Sequence, residues 1–531
     1  MPTRSPLRFL AFAALLISPL VAAPLLAAPL DPGIPVAPLA PLPARDAEDR
    51  SPISPEDRQL LRTLWPDLPK AGPYQYFHWA PRWLDWLRRR PVDVPPAPSG
   101  VVFEGETNIT SSPQAEAESF VAVDPDDPRF VLAAANDFNG PQGLYASTDG
   151  GATWRNQSMP RGGYGFHSDP GVGWDSAGNG YTVTLGIKGG TVKPIVSKTT
   201  DRGATWSTPV NLPSTTSTDK ELLFVDSART SPCRDFVYVA WDQPGSSMKL
   251  SRSTDGAASW SDAITLERRS GIATTLASGP EGELFVAWNG LDRTIRMVKS
   301  VDCGASFGAP TVLSPTNQAY DIGIPSFCRR RALLYPALDV DRSGGCRSGW
   351  VYAAWVDSTT SGGCSASGCP STQPCTTDIF FSRSSDGGAT WSPRKIAHED
   401  LANADQFNPW LAVDPVDGSL WIAFQDTRND PERVKADTYL VRSTDGGESF
   451  SPSMRLSGAS TNETSAGSTT FQWGDYNGLA AAAGRIYAVW TDRRPGGTSE
   501  NADDIFLAVV TADPQGCVTG DFGGGDPIPL N

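Results

Sequence analysis

Histidine and net positive charge are both scarce in this chain. Only His78, His167 and His398 occur among 531 residues, and 44 Lys plus Arg face 59 Asp plus Glu, for a net charge of −15. Such a surface repels polyphosphate, so no nucleic-acid partner is expected. There is no zinc-protease motif, no phosphate loop and no Ser-His-Asp arrangement. Long helical periodic runs are also missing. With 51 Gly and 47 Pro, the expectation is many short strands joined by turns. After the first thirty residues, no stretch is apolar enough to cross a bilayer.

What is present starts with a leader. Arg4 and Arg8 precede an apolar run from Phe9 to about Ala28, which reads as a signal peptide over 1–28; an uncleaved anchor is the alternative. Export fits the eight cysteines. Five of them lie between Cys328 and Cys375, and the Cys364, Cys369, Cys375 spacing matches no usual zinc pattern, so disulfides are expected in a secreted protein. Residues 29–99 read as a Pro-rich linker and a short helical segment starting at Ser54-Pro55-Glu56-Asp57. Trp79, Trp83, Trp86 and Leu87 share one face of that segment, ahead of Arg88-Arg89-Arg90. It reads either as a cap on the main domain or as a membrane-surface contact.

From about residue 100 to 517 the chain repeats. Each unit has an apolar strand, a second strand often ending in Ala-Trp, a third strand, an eight-residue box and a fourth strand. The second strand recurs seven times, as in "FVYVAWD" and "IYAVWTD"; the first begins near Ser119, Pro170, Glu221, Gly271, Leu333, Asn408 and Gly478. Four antiparallel strands repeated radially predict an all-β propeller. The seventh unit lacks a box and a fourth strand, and "VVFEG" at 101–105 is a spare strand. Placed on the last blade, it closes a ring of seven; six blades is the alternative. Residues 518–531 read as a flexible tail.

The box begins "STDGGATW" at Ser147 and recurs at Thr199, Ser253, Ser300, Ser384 and Ser443. Its aspartates, Asp149, Asp201, Asp255, Asp302, Asp386 and Asp445, come one per blade and cannot form one pocket. They are expected to close turns: Asp accepts turn N–H groups, Gly supplies positive φ and the aromatic packs beside the turn. Ala257 replaces the usual Gly in the third copy. These boxes resemble the Asp-box, or BNR, repeats of the sialidase superfamily, across roughly residues 110–512.

Strand direction puts the boxes on one face of the ring and the second-to-third-strand loops on the other, where a site is expected. That face carries Asp137, Asp242, Asn289, Asp357, Asp426, Arg428, Asp492, Arg493 and Arg494, with His167, Asp169, Asp219, Glu221, Gln406, Asn408, Asp475 and Tyr476 ahead of the first strands. The resemblance implies a glycosidase that grips a carboxylate with arginines and attacks through a tyrosine activated by a glutamate. "GDYNGLAAAAGRIYAVW" is similar to the tyrosine segment, which implies Tyr476 as nucleophile. Asp169 is then the acid/base. Asn408-Pro409 occupies the place of the activating Glu, and Glu221 is the substitute. Arg428 and Arg493 take substrate-binding roles. Asp426, Asp475 and Asp492 are carboxylates that could instead form a pair cleaving a neutral glycan. No cofactor is expected; acid-rich loops can bind Ca²⁺, but no sequential calcium loop is visible. The partner implied is a glycan or glycoprotein, met by a monomer. A non-catalytic glycan- or protein-binding propeller is the alternative.

Overall fold

A computed structural model describes residues 100–110, 114–138, 140–213, 217–327, 330–359, 376–400, 403–464, 472–494 and 503–514. The chain divides into two units, Met1–Pro81 and Arg82–Asn531. Everything described belongs to the second. The leader, the linker with its Trp-rich segment, the tail from 518 and the Cys364–Cys375 loop lie outside the described residues.

Seven four-stranded antiparallel sheets form a β-propeller, and no helix occurs among the described residues. The innermost strands are Glu116–Val123, Phe166–Trp174, Asp219–Val225, Ile272–Ser278, Ala337–Val340, Gln406–Val413 and Gly478–Ala482. Each packs against the next, and the seventh packs against the first. Bulky side chains of the second strands, Trp241, Trp288, Trp355 and Trp490 among them, are fully buried between blades. Their recurrence as "AW" follows from that burial, which is the main favourable term in stacking the sheets.

The ring closes with the earliest described strand. Val101–Asn108 pairs antiparallel with Asp504–Ala512 and supplies the outer strand of blade seven. Glu106 pairs with Arg494, and Glu104 with Arg485 at 3.1 Å. Seven blades with this closure are what the repeat predicts. One boundary differs. Leu333, expected to begin the fifth inner strand, lies in a two-strand hairpin, Asp321–Ile322 with Ala332–Leu333, inserted ahead of Ala337–Val340. An apolar run flanked by polar residues reads the same in either role.

The six boxes close their turns by one pattern. Ser147 Oγ donates to Asp149 Oδ1 at 2.8 Å and accepts from the Gly151 N–H at 2.8 Å, while Thr153 N–H donates to Asp149 Oδ1 at 2.9 Å. Side-chain hydrogen bonds to the box carboxylates hold Asp201, Asp255, Asp302 and Asp386 down at about 2. Ala257 adopts the left-handed backbone, φ 66°, that glycine takes in the other copies. The Gly150 N–H donates to the Arg129 carbonyl at 2.8 Å, so boxes and first-to-second-strand turns share one face. Cys303, inside the fourth box, is disulfide-bonded to Cys233 in the preceding blade. Cys346 is disulfide-bonded as well. Such bonds fit an oxidising compartment.

Candidate functional site at the ring axis

On the face away from the boxes, five inner strands carry the same irregularity. Pairing slips between Ala117 and Phe120, Ser168 and Gly171, Asp219 and Leu222, Ile272 and Thr275, and Phe407 and Trp410. In each bulge the first residue is left-handed: Glu118, Asp169, Lys220, Ala273 and Asn408. Tyr335 and Tyr476 occupy the same register in blades five and seven, two residues before pairing begins. Left-handed backbone in a non-glycine residue costs on the order of 1 kcal/mol or more, and such strain gathers where geometry is used.

The bulges send unlike side chains to one point on the axis. Lys220 Nζ lies 2.8 Å from Asp169, 2.5 Å from Asp475 and 3.9 Å from Glu118, so a single buried ammonium joins blades one, two, three and seven. Arg330, from the inserted hairpin, pairs with Asp475 and lies 3.4 Å from Glu118; Arg331 lies 3.5 Å from Asp475. The Asn136 side chain donates to Glu118 at 2.6 Å and accepts from the Asp169 N–H at 2.8 Å.

Burial and charge divide these carboxyl groups into two populations. Burial pushes Asp475 up, but Lys220, Arg330 and Arg331 together hold it below the ordinary range. Asp169 is likewise held down by Lys220 against its burial. For Glu118, burial outweighs Lys220, and its carboxyl is raised. Glu221 is raised by burial and by the Asp169 charge, and neither of its oxygens has a hydrogen-bond partner. Burial and the Asp219 charge raise Asp242. Ionised and protonated carboxyls therefore share one centre.

Beneath this polar layer the axis is filled. Phe120 and Trp410 meet edge to face at 5.1 Å between centroids, and Tyr335 and Tyr476 join them at 5.7–6.2 Å. The Tyr476 hydroxyl donates to the Pro170 carbonyl at 2.9 Å, and Tyr335 donates to the Thr274 carbonyl at 3.0 Å. Both carbonyls lie in bulges, where the ladder leaves acceptors open, so the phenols satisfy them. Burial raises the Tyr476 hydroxyl well above its usual value.

Above the polar layer, residues 316–327 and 330–336 lie at the ring end. Ser326 Oγ donates to the Arg433 carbonyl at 2.9 Å, and the Trp473 indole donates to the Ser326 carbonyl at 3.0 Å. Arg330 and Arg331 are the more exposed members of the cluster, with side chains 17% and 26% exposed.

Asp169, Glu221, Asp475 and Tyr476 are thus brought together. The remaining candidates sit at second-strand ends, inside their own blades. Arg428 bonds Asp426 at 2.8 Å and Glu399 at 2.7 Å and covers the Tyr439 ring. Arg493 bonds Asp503 at 3.2 Å, and Asp492 accepts the Trp490 indole N–H at 2.9 Å. Lys220, Glu118, Arg330 and Arg331 were not singled out from the sequence. "DKELL" places Lys220 between two named acids, and "RRR" at 329–331 places the arginines beside an apolar run; these are the signals available for them. Among the described residues, no group of three or more His, Cys, Asp or Glu is arranged to hold a metal ion.

Fold and site together define a seven-bladed propeller with a charged centre at one end of its axis. No family model matches the chain, and no curated protein does. Among solved structures, it is similar to a protein of unknown function from Dyadobacter fermentans (14% identity, TM-score 0.43, covering 78% of this chain and all of that one). It is also similar to the NanB sialidase of Streptococcus pneumoniae (10%, 0.40, 60% and 67%) and to an alpha-L-arabinofuranosidase of Fusarium graminearum (8%, 0.43, 77% and 98%). The fold assignment rests on the strand pairing and ring packing above.

Proposed function

We propose that this is an exported propeller whose ligand is a glycan, met at the axial centre, and that the centre hydrolyses a glycosidic bond. The observation that supports this is the split of carboxyl groups within one cluster. A glycosidase needs a protonated acid for the leaving oxygen and an ionised partner as base or nucleophile. Glu221, protonated and unpartnered, suits the first role, and Asp169, ionised beside Lys220, suits the second. Asp475 neutralises Lys220 and the hairpin arginines. Tyr476 serves as nucleophile only if its hydroxyl leaves the Pro170 carbonyl.

The test is release of fluorophore from an aryl sialoside and from a panel of neutral aryl glycosides. Turnover should fall by about a hundredfold or more in both Asp169→Asn and Glu221→Gln. Loss in Tyr476→Phe on the sialoside alone would assign the tyrosine mechanism.

A second reading, a binding propeller without catalysis, is favoured by one feature: Tyr476, Arg428 and Arg493 are already engaged by groups of the protein itself. Binding on a glycan array with no turnover on any glycoside would establish it in place of the first.

A further inference from the structure

The aromatic layer has a second side. Below it the axis opens toward the boxes as a cavity of about 160 Å³, to which inner strands of all seven blades contribute. Its floor is Phe120 and Trp410 from the aromatic layer, and its walls mix apolar side chains, Leu276 and Leu411 among them, with an equal share of polar surface. At the mouth stand Asp339 and Arg342. The Asp339 carboxylate is fully engaged: it accepts the Val340 and Val413 N–H groups at 2.8 Å each and pairs with Arg342 at 2.9 Å. Arg342 is different. Its side chain is only 8% exposed, and its Nε–H is buried without a hydrogen-bond partner.

We propose that this cavity binds a small neutral ligand, an aromatic or alicyclic ring bearing one hydrogen-bond acceptor, with the ring against Phe120 and Trp410 and the acceptor at Arg342 Nε. Three observations set that chemistry. A volume of about 160 Å³ accommodates a benzene-sized molecule, which sets the size. A buried donor with no acceptor is costly to leave unmade, which calls for an oxygen at the mouth. Asp339 already neutralises Arg342 at 2.9 Å, so the mouth has no net charge with which to pair an ionised ligand; the ligand is uncharged. The aromatic layer separates this site from the carboxyl cluster, so the inference is independent of any glycosidase activity.

The experiment is ¹⁹F NMR titration of the purified full chain with 4-fluorophenol, fluorobenzene and 4-fluorobenzoate. Saturable binding of 4-fluorophenol with a Kd of about 1 mM or below is expected, tighter than fluorobenzene and with benzoate weakest. Arg342→Met should reduce the phenol to the affinity of fluorobenzene, a loss of roughly fivefold. Ala481→Phe, at a partly exposed wall position, should abolish binding of both with the melting temperature retained. No saturable phenol binding would overturn the proposal. So would benzoate binding tightest, or phenol binding that persists in Ala481→Phe.

Discussion

Lys220 holds four blades by one atom. It is fully buried, sits at φ 45° and takes carboxylates from Asp169 and Asp475 as direct partners. Removing the ammonium while keeping the stem strands those charges, and breaking a buried pair this way costs about 3–5 kcal/mol. Lys220→Met should therefore lower the free energy of urea unfolding by that order. A change under 1 kcal/mol would mean the carboxylates are not charged together. The protonated acids make a different prediction. Burial pushes Glu116 up to about 8 and Asp378 up to about 7. A raised acid stabilises the folded state most below its unfolded value, and that contribution is lost as pH rises through the folded value. The box aspartates act oppositely, losing theirs as pH falls through about 2. Thermal melting should thus peak at roughly pH 4–5 and decline toward pH 8. Glu116→Gln should flatten the decline, and an unchanged slope would remove Glu116 from it. At this scale the sequence was only partly readable. Asp169, Glu221 and Asp475 were visible as polar residues ahead of apolar strands. Lys220 and Glu118 were hidden because strand alternation does not reveal a bulge, and the bulge decides which way each side chain faces.

The boxes do more than end hairpins. In five of the six copies a cation directly precedes the box serine or threonine, and three of these cations reach the next blade's box. Lys198 Nζ donates to the Gly256 carbonyl at 3.1 Å, Arg252 to the Cys303 carbonyl at 2.5 Å and Arg383 to the Gly446 carbonyl at 2.8 Å. Where blade seven has no box, Arg442 reaches the Asp513 carbonyl instead, at 2.8 Å. These three boxes are thereby turns within one sheet and acceptors for a neighbour. Hydrogen bonds from charged donors are worth about 1.5–3 kcal/mol, less where water competes. Arg383→Ala should lower stability by about 1–2 kcal/mol, read as a shift in denaturant midpoint with the m-value unchanged. No shift would assign that tie to solvent. The box turns themselves were legible, since Ser, Asp and Gly at fixed offsets name the turn. The preceding Lys or Arg is visible in the sequence too, but a surface cation is so ordinary that only the partner blade gives it meaning.

For the molecule as a whole, the period of the second strands was enough to count blades, and the missing fourth strand of the last unit pointed to Val101–Asn108. Removal of residues 101–108 should leave the Asp504–Ala512 edge unpaired. The truncated protein should then associate on size-exclusion chromatography, whereas the intact chain runs as one species. An unaltered elution volume per mass would show that the closing strand is dispensable. What the repeat did not reveal is how the axis is filled. The inserted hairpin at 321–333 breaks the spacing of the fifth unit, and its arginines act on residues far away in sequence.

The closing strand also fixes an order of events during synthesis. The first strand of the ring to leave the ribosome must wait for one of the last, because Val101 and Ala512 are partners. Until that late segment emerges, the growing polypeptide carries an unsealed flank, and the long search for its mate makes completion slow relative to pairing inside any single sheet. A nascent chain of this kind stays threadable until Asp504–Ala512 has left the ribosome, and it needs shielding from its own copies for just that interval.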